Sequence, residues 1–300
     1  EQNKLIERLS SYKQSHQFPK SAPLMPELPE VQTVVNDLVA AGLPGAEILR
    51  AEVFWDRSIS APGARDFCRR IAGRRITAVR RRAKYIVFDL SGGCSLLLHL
   101  RMSGRLHLQK KGSPRDKHEH VVLGLADGRE LRLHDTRKFG RLGLVADAAS
   151  ALDHLGPEPL SKEFTQKLLG SILHSRRRML KPLLLDQGVI AGLGNIYVDE
   201  ALWEAGLHPC RSSDSLSAQE VRALHRAIPR VLKRGLKNLG TTLGTGQANF
   251  YSVANRRGRN SDQLKVFRRT GQPCPRCRSA IERIVVGQRS THVCPQCQVQ

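Results

Sequence analysis

The heptapeptide MPELPEV, residues 25–31, decides how the rest of the chain is interpreted, because it resembles a true N-terminus although 24 residues precede it. If Met25 is an initiator that is removed, Pro26 carries a free secondary amine, which attacks an aldehyde-like carbon and loses water to form an iminium. An α-amine has a pKa of about 7.7–8.0, so part of it is neutral near pH 7. Glu27 lies next to it and can shuttle protons. Pro26 and Pro29 are equally compatible with the plain opening of a helix, where proline fits the first turn.

The chain is strongly basic. Its 300 residues include 49 Lys and Arg against 27 Asp and Glu, a formal net charge of +22. This excess predicts a polyanionic partner, above all a nucleic acid, with an anionic membrane surface as the alternative. No apolar run reaches about 18 residues, so no membrane-spanning helix is expected.

Changes in residue pattern divide the first half of the chain. Residues 1–24 are polar without a core pattern, and we interpret them as a disordered leader or as an upstream segment outside the working protein. From Val31 to Val39 the apolar residues follow helical spacing. Residues 46–147 are interpreted as short strands with tight turns, among them a hairpin at Asp127-Gly128, which indicates a β-sandwich.

The second half has a helical pattern. The segment 156–159, GPEP, is the expected linker. Ser217 and Glu220 form a capping box that opens a helix, and Pro229 is expected to kink it. Residues 241–265, rich in Gly, Asn and Arg, are expected to form a long functional loop.

Two cysteine pairs near the C-terminus predict a metal site. Cys274-x-x-Cys277 and Cys294-x-x-Cys297 flank residues 278–293, which is the spacing of a zinc ribbon. Four thiolates complete a tetrahedron without an open position, so we expect one structural zinc ion per chain. The strands between the pairs present Arg289 at the hairpin tip, where it either binds a phosphate or is simply solvated.

Further candidates lie at strand ends and in a Gly-rich turn. Met102 either wedges into a base stack or fills the core. Arg137 and Phe139 share one face if extended, so that Arg137 can pair with a base edge and Phe139 can stack in a gap, unless Phe139 turns inward. Asn195 opens a helix, where exposed amides bind phosphate, or is merely its N-cap. Lys84 follows three arginines and, taken alone, is typical of a solvated strand.

From Met25 to Gln300 the chain resembles the formamidopyrimidine-DNA glycosylases, bacterial enzymes that remove oxidised purines. The matching motifs occur in one order: PELPEV (26–31), RRAKY (81–85), HLRMSG (99–104), LGPEPL (155–160), GNIY (194–197) and the four-cysteine ribbon. One departure is Lys138, where the family usually has the second of two wedge arginines.

The resemblance implies an α+β multidomain fold. An N-terminal helix and β-sandwich (25–155) and a linker (156–160) would be followed by a helix–two-turn–helix DNA-binding domain with a lesion-capping loop (161–265). A zinc-ribbon β-hairpin (266–300) would end the chain.

The resemblance also implies a bifunctional DNA glycosylase and AP lyase of base excision repair. Pro26 would attack C1′ of a flipped nucleotide, expel 8-oxoguanine or a formamidopyrimidine, and hold the sugar as an imine until β,δ-elimination nicks the strand. Glu27 would act as an acid in ring opening, and Lys84 would assist proton transfer in β-elimination. Arg289 would clamp the phosphate and assist δ-elimination.

The same resemblance implies a set of DNA contacts. Met102, Arg137 and Phe139 would fill the hole left by the flipped base, and His118 and Asn195 would hold phosphates. The partner would be double-stranded DNA with oxidised purines or abasic sites. We expect a monomer in the bacterial cytoplasm, associated with the nucleoid and not with a membrane.

Three alternatives remain open at this point. An endonuclease VIII-like enzyme would remove oxidised pyrimidines, although Leu28 favours the purine enzyme. A non-catalytic damaged-DNA binder would result if residues 1–24 stay attached, because the tertiary amide of Pro26 cannot form an imine. A ribosomal or transcription zinc-ribbon protein would explain the charge and cysteines, but not Pro26 and Glu27 beside the wedge motifs.

Overall fold

A computed structural model of the chain describes residues 25–244 and 250–299. The predicted leader, residues 1–24, and residues 245–249 of the predicted lesion-capping loop lie outside the described residues.

Helix α1, Leu28–Ala40, joins the two halves of the molecule. It begins with a capping box, in which the Glu27 backbone N–H donates to Glu30 Oε2 at 2.9 Å. Leu28 is buried in the core of the helical domain, whereas Val31, Val34 and Leu38 are buried in the core of the sandwich. The predicted helix is therefore confirmed, and its first turn lies where the two domains meet.

A β-sandwich follows, as the strand pattern predicted. One layer has the strand order β2-β9-β5-β4-β3, and the other has the order β1-β7-β8-β6. Strands β1 and β3 join the layers through the antiparallel pairs Glu47↔Arg75 and Ile48↔Arg74. The strands are β1 (Glu47–Val53), β2 (Ile59–Ala61), β3 (Arg74–Arg82), β4 (Tyr85–Leu90), β5 (Cys94–His99), β6 (Gly104–Lys110), β7 (Glu119–Leu125), β8 (Arg129–Asp135) and β9 (Arg141–Val145).

The prediction that residues 46–147 are all strands and turns was wrong at one place. Helix α2, Ala64–Ile71, lies inside this range. Its Phe67 and Ile71 are one helical turn apart, and both are buried against the sandwich core, so that packing favours a helix here. The short helix α3, Ala148–Ala151, ends the sandwich, with Asp147 as its N-cap.

Helices build the second domain. They are α4 (Gln166–His174), α5 (Leu180–Leu185), α6 (Asn195–Ala205) and α7 (Ala218–Lys237). The capping box of Ser217 and Glu220 is present at the start of α7, which continues through Pro229. Val221, Leu224 and Ile228 of α7 are buried in the core of this domain.

A two-stranded hairpin closes the described chain, with β10 (Glu282–Val286) and β11 (Arg289–Val293) in the register Val286↔Arg289. At its tip Gly287 and Gln288 have φ values of 54° and 60°, the left-handed conformation of a tight turn. The predicted ribbon hairpin is thus confirmed. Within residues 25–244 and 250–299, no helix is long and apolar enough to cross a membrane.

Candidate active site

The carboxyl group of Glu27 is held at the N-terminus of α6. Its Oε1 accepts a hydrogen bond from the Ile196 backbone N–H at 2.9 Å, and its Oε2 accepts one from the Tyr197 backbone N–H at 3.3 Å. A Cβ atom on Gly194 would overlap this carboxyl group, so the close approach requires glycine. The GNIY motif therefore forms a cradle for the residue that follows Pro26, and the positive end of the helix dipole faces the carboxyl group.

Glu27 and Lys84 form a buried acid–amine pair. Burial raises the pKa of Glu27 to about 7, the charge of Lys84 acts to lower it, and the charge of Glu30 acts to raise it further. Burial also lowers the pKa of Lys84. The positive charge of Arg289 lowers this pKa further, whereas the negative charges of Glu27 and Glu30 act to raise it. Both shifts move the pKa values of the two groups toward neutral pH, where acid–base catalysts work best. Because Lys84 is only 8% exposed, the solvated-strand interpretation was wrong.

Glu30 is a site residue that the sequence reasoning missed. Its Oε1 accepts hydrogen bonds from the Tyr197 hydroxyl at 2.9 Å and from the Thr241 backbone N–H at 2.6 Å. Burial raises the pKa of Glu30, and these hydrogen bonds oppose the shift. Glu30 thus ties α1 to α6 and to the loop after α7. The three-residue spacing of Glu27 and Glu30, typical of a capping box, is the sequence signal that could have identified it.

The turn that carries Lys84 is fastened by Glu158 of the linker. The Glu158 carboxylate accepts a forked pair of hydrogen bonds from Arg81, at 3.0 and 2.7 Å, and another from the Ala83 backbone N–H at 2.5 Å. Arg82 also donates to it at 3.1 Å. Ala83 has a φ of 52°, a conformation that costs a non-glycine residue free energy and needs outside support. The sequence motif LGPEPL contained this residue, but no local pattern assigned it a partner.

The hairpin tip is fastened to the helical domain next to the same site. Lys181 is fully buried, and its Nζ donates to Asp199 Oδ1 at 2.6 Å and to the Ser290 carbonyl at 3.0 Å. Asn195 Nδ2 donates to the same carbonyl at 3.0 Å. These bonds hold the residue after Arg289, whose own side chain is exposed. Arg289 also acts on the pKa of Lys84, which places the two charges in one site.

Asn195 is not the N-cap of α6. That position belongs to Gly194, and Asn195 is the first residue of the helix. Asn195 Oδ1 is buried without a hydrogen-bond partner among the described residues. The amide is therefore committed to the hairpin through its nitrogen, while its oxygen remains unpaired.

The candidates for filling the base stack lie on two turns that share one anchor. Asp135, at the end of β8, accepts hydrogen bonds from the Ser103 hydroxyl and from the backbone N–H groups of Arg137 and Phe139. The Arg137 guanidinium lies 4.7 Å from the centre of the Phe139 ring, and Phe139 is 41% exposed. The inward alternative for Phe139 was thus wrong. Met102, next to Ser103, is partly exposed.

Strand pairing brings these turns to the same end of the sandwich as Lys84. Tyr85 pairs with His99 between β4 and β5, so the Lys84 turn and the Met102 turn are adjacent. His99 also pairs with Arg141 at the start of β9, directly after the turn that carries Arg137 and Phe139. His118 is partly exposed before β7, and its ring meets that of His134 edge to face, with centroids 5.7 Å apart.

The four predicted metal ligands converge. The sulfur atoms of Cys274, Cys277, Cys294 and Cys297 all lie within 4.8 Å of one another. Four thiolates at such distances fit a tetrahedral zinc ion of structural type. Trp203 of α6 donates its indole N–H to Cys274 Sγ at 3.4 Å, which links the ribbon to the helix that cradles Glu27. The chain holds one structural zinc ion at this site.

These elements define a class of protein in which a sandwich domain, a helical domain and a four-cysteine ribbon meet around one buried acid–amine pair. Three family models match the chain in this order: the formamidopyrimidine-DNA glycosylase N-terminal domain over residues 25–142, the H2TH domain of the same proteins over 155–246, and a zinc finger found in FPG and IleRS over 271–299. The chain belongs to the formamidopyrimidine-DNA glycosylase family.

Relatives and solved structures agree with this assignment. The formamidopyrimidine-DNA glycosylase of Roseiflexus sp. is 50% identical over 277 residues, which cover 91% of this chain and 100% of that protein. The Protochlamydia amoebophila protein of the same name is 46% identical, with coverage of 91% and 99%. A Lactococcus lactis FPG mutant in complex with Fapy-dG containing DNA has a TM-score of 0.84 at 35% identity, with coverage of 92% and 100%. The Lactococcus lactis Fpg with abasic-site DNA has a TM-score of 0.83 at 34% identity, with coverage of 91% and 100%.

Proposed function

We propose that this chain, a DNA glycosylase of base excision repair by family, excises oxidised purines through a covalent bond to Pro26. The observation that carries the proposal is the buried carboxyl group of Glu27, next in sequence to Pro26, with a pKa of about 7 and the amine of Lys84 acting on it. A general acid and an amine in such a site fit chemistry at a sugar carbon.

In the proposed reaction, the freed Pro26 nitrogen attacks C1′ of a flipped nucleotide, and the bond from C1′ to the damaged base breaks. The proton of the Pro26 N–H leaves with the departing base. Glu27 then donates a proton to O4′ as the C1′–O4′ bond breaks, so O4′ becomes a hydroxyl on C4′ and the nitrogen lone pair forms an iminium between Pro26 and C1′. Removal of a C2′ proton then expels the 3′ phosphate, with Lys84 assisting the transfer, and a second elimination expels the 5′ phosphate held by Arg289. Flipping is needed because C1′ is shielded within a duplex.

The DNA contacts follow from the same arrangement. Met102, Arg137 and Phe139 lie on adjacent exposed turns, where they can fill the gap that a flipped base leaves. We assign His118 and Asn195 to backbone phosphates. Asn195 suits this role because its side-chain amide has two N–H groups: one donates to the Ser290 carbonyl, and the other can donate to a phosphate oxygen.

The division of labour between domains is part of the proposal. The sandwich (25–155) supplies the catalytic pair and the wedge turns, while the helical domain (161–265) and the ribbon (266–300) hold the phosphates from the other side. The zinc ion supplies rigidity to the hairpin that presents Arg289, and it takes no part in bond breaking. Acting on chromosomal DNA, the protein would work at the bacterial nucleoid.

Borohydride trapping tests the proposal. Protein of the full sequence and protein starting at Pro26, each verified by mass, are incubated with a duplex containing 8-oxoguanine opposite cytosine and with one containing thymine glycol opposite adenine. A covalent adduct from the Pro26 protein alone, with the purine lesion preferred, is expected. An adduct from the verified full-length chain would assign the nucleophile to another amine, and a preference for thymine glycol would overturn the purine assignment. No adduct at all would make the chain a non-catalytic binder.

A further inference from the structure

The dipeptide Phe54-Trp55 occupies the crossover between the two layers of the sandwich. The Phe54 backbone N–H donates to the His120 carbonyl at 2.9 Å, so Phe54 extends β1 alongside β7, close to His118. Strand β2, which begins at Ile59, pairs in parallel with β9. This pairing carries Trp55 beside residues 136–140, the turn that precedes β9. Both aromatic residues therefore lie at the end of the sandwich that carries the wedge turns.

Each aromatic ring lies under a cation from a different loop. The Arg115 guanidinium is 4.0 Å from the centre of the Phe54 ring, and the Lys138 Nζ is 4.1 Å from the centre of the Trp55 ring. The Arg57 guanidinium approaches the same indole at 5.9 Å. Arg115 lies three residues before His118, and Lys138 lies between Arg137 and Phe139. The two rings thus connect the loop of a proposed phosphate contact with the loop of the proposed wedge.

The two rings contact these cations without neutralising them, and Arg115 also donates to the Glu119 backbone carbonyl at 3.1 Å. Among residues 25–244 and 250–299, neither Arg115 nor Lys138 forms an ion pair with a carboxylate, whereas many other arginines of the sandwich do. An aromatic face restricts where a cation sits but leaves its full charge available to an anion. Phe54 is also 45% exposed, so its ring lies at the surface, where DNA can reach the guanidinium that it contacts.

We propose that Phe54 and Trp55 form a platform that positions Arg115 and Lys138 to bind the sugar–phosphate backbone of duplex DNA beside the wedge turns. The inference deepens the proposed function and rests on it, because it names the same DNA as the partner. Phe54 and Trp55 are positioning residues in this proposal, and the two cations make the contacts.

A double-mutant cycle tests the platform. Trp55→Leu, Lys138→Gln and the double variant are compared for affinity to a duplex carrying a tetrahydrofuran abasic analogue, by fluorescence anisotropy over a series of salt concentrations. Lys138→Gln should reduce the slope of log K against log salt by about 0.9, the value for one phosphate contact. Trp55→Leu should weaken binding by about three- to tenfold, the size expected for a cation–π contact. The effect of Lys138→Gln should be smaller when Trp55 is already replaced.

Two outcomes would overturn the inference. One is wild-type affinity and salt slope in Trp55→Leu, and the other is strict additivity of the two substitutions. A purely structural role for Trp55 would lower the melting temperature while leaving the cycle additive, so thermal unfolding is measured on every variant. Leu49→Ala is the matched control, since Leu49 is an apolar residue of β1 that is 55% exposed. Phe54→Leu should reproduce the loss of affinity through Arg115.

Intrinsic fluorescence supplies an independent readout. The chain has two tryptophans, Trp55 and Trp203, and Trp203 is 6% exposed beside the zinc ligands. DNA titration should change the emission of the wild type and leave that of Trp55→Leu nearly constant. Borohydride trapping at saturating DNA separates the two proposals. All variants for this comparison start at Pro26. Trapping by the unsubstituted protein with an unaltered salt response in Trp55→Leu overturns the platform alone, whereas coupled binding without trapping overturns the enzymatic proposal alone.

Discussion

Replacement of Glu158 by glutamine tests whether the linker positions Lys84. The side chains involved are largely buried, with exposures of 20% for Glu158 and 10% for Arg81. Glu158→Gln keeps the shape of the side chain but removes the negative charge that faces the guanidinium groups of Arg81 and Arg82. Its amide NH₂ is itself a donor, so it cannot accept one of the hydrogen bonds that the carboxylate accepts. Loss of charged hydrogen bonds of this kind costs about 1.5–3 kcal/mol. Because 1 kcal/mol lowers the melting temperature of a protein of about 150–250 residues by about 2–4 °C, the melting temperature should fall by about 3–12 °C at pH 7.

The pH dependence of this loss has a definite sign. Burial acts to raise the pKa of Glu158, but the hydrogen bonds and charges of Arg81, with the Ala83 amide and Arg82, outweigh it and hold the pKa below the ordinary 4.5. A lowered pKa means that the stabilisation is present above pH 4.5 and is lost as the pH falls through the lowered value. The difference in melting temperature between wild type and Glu158→Gln should therefore shrink in acid.

The functional readout is single-turnover strand nicking compared with DNA affinity. Because Glu158 supports the strained Ala83 before Lys84, Glu158→Gln should slow nicking by about ten- to a hundredfold, the effect of a small misplacement of a catalytic group. Affinity for abasic-analogue DNA should change little. Glu163→Gln is the control, since Glu163 follows the same linker and is exposed. Equal melting temperatures and nicking rates in the two variants would refute the reasoning.

Three further predictions concern the same site. Gly194→Ala should slow nicking at least tenfold, because the new methyl group displaces the Glu27 carboxyl group; Gly170→Ala, which has room for its methyl group in α4, is the control, and equal rates in both would contradict the cradle. The value of kcat/KM should decline as the pH rises through about 7, since the pKa of Glu27 is raised to that value and only the protonated acid donates. If Glu27→Gln shows the same decline, the titrating group is another residue. Asp135→Asn should weaken binding to abasic-analogue DNA about tenfold without loss of zinc, because Asp135 anchors both wedge turns by charged hydrogen bonds. Unchanged affinity would show that the two turns keep their conformation without the Asp135 carboxylate.

Local patterns were sufficient for much of the fold. The zinc ribbon was predictable because each Cys-x-x-Cys pair forms its own knuckle, and only the approach of the two knuckles requires the fold. Helix α1 and the hairpin at Asp127-Gly128 were likewise predictable, since periodicity and turn chemistry act over a few residues. Helix α2 was missed although its spacing of Phe67 and Ile71 is helical, because its neighbours on both sides are strands.

The residues of the candidate site also fall into those that local sequence patterns predicted and those that only the fold revealed. Short sequence motifs contain Pro26, Glu27 and the wedge residues, so these candidates could be predicted from the sequence. The raised pKa of Glu27 and the lowered pKa of Lys84 were not predictable, because both result from burial between domains that are far apart in the chain. The same holds for the partners of Glu30, Glu158 and Lys181.

The sequence by itself determined which groups the protein has for chemistry: a proline that we propose as the nucleophile, an acid beside it, four cysteines and a large excess of basic residues. Only the tertiary structure decided how those groups behave. Glu27 meets the amides of α6 across a separation of 169 residues, and Glu30 meets Thr241 across 211. Such contacts depend on packing between whole domains, and the desolvation that sets the acid–base properties arises only when those domains close around the groups.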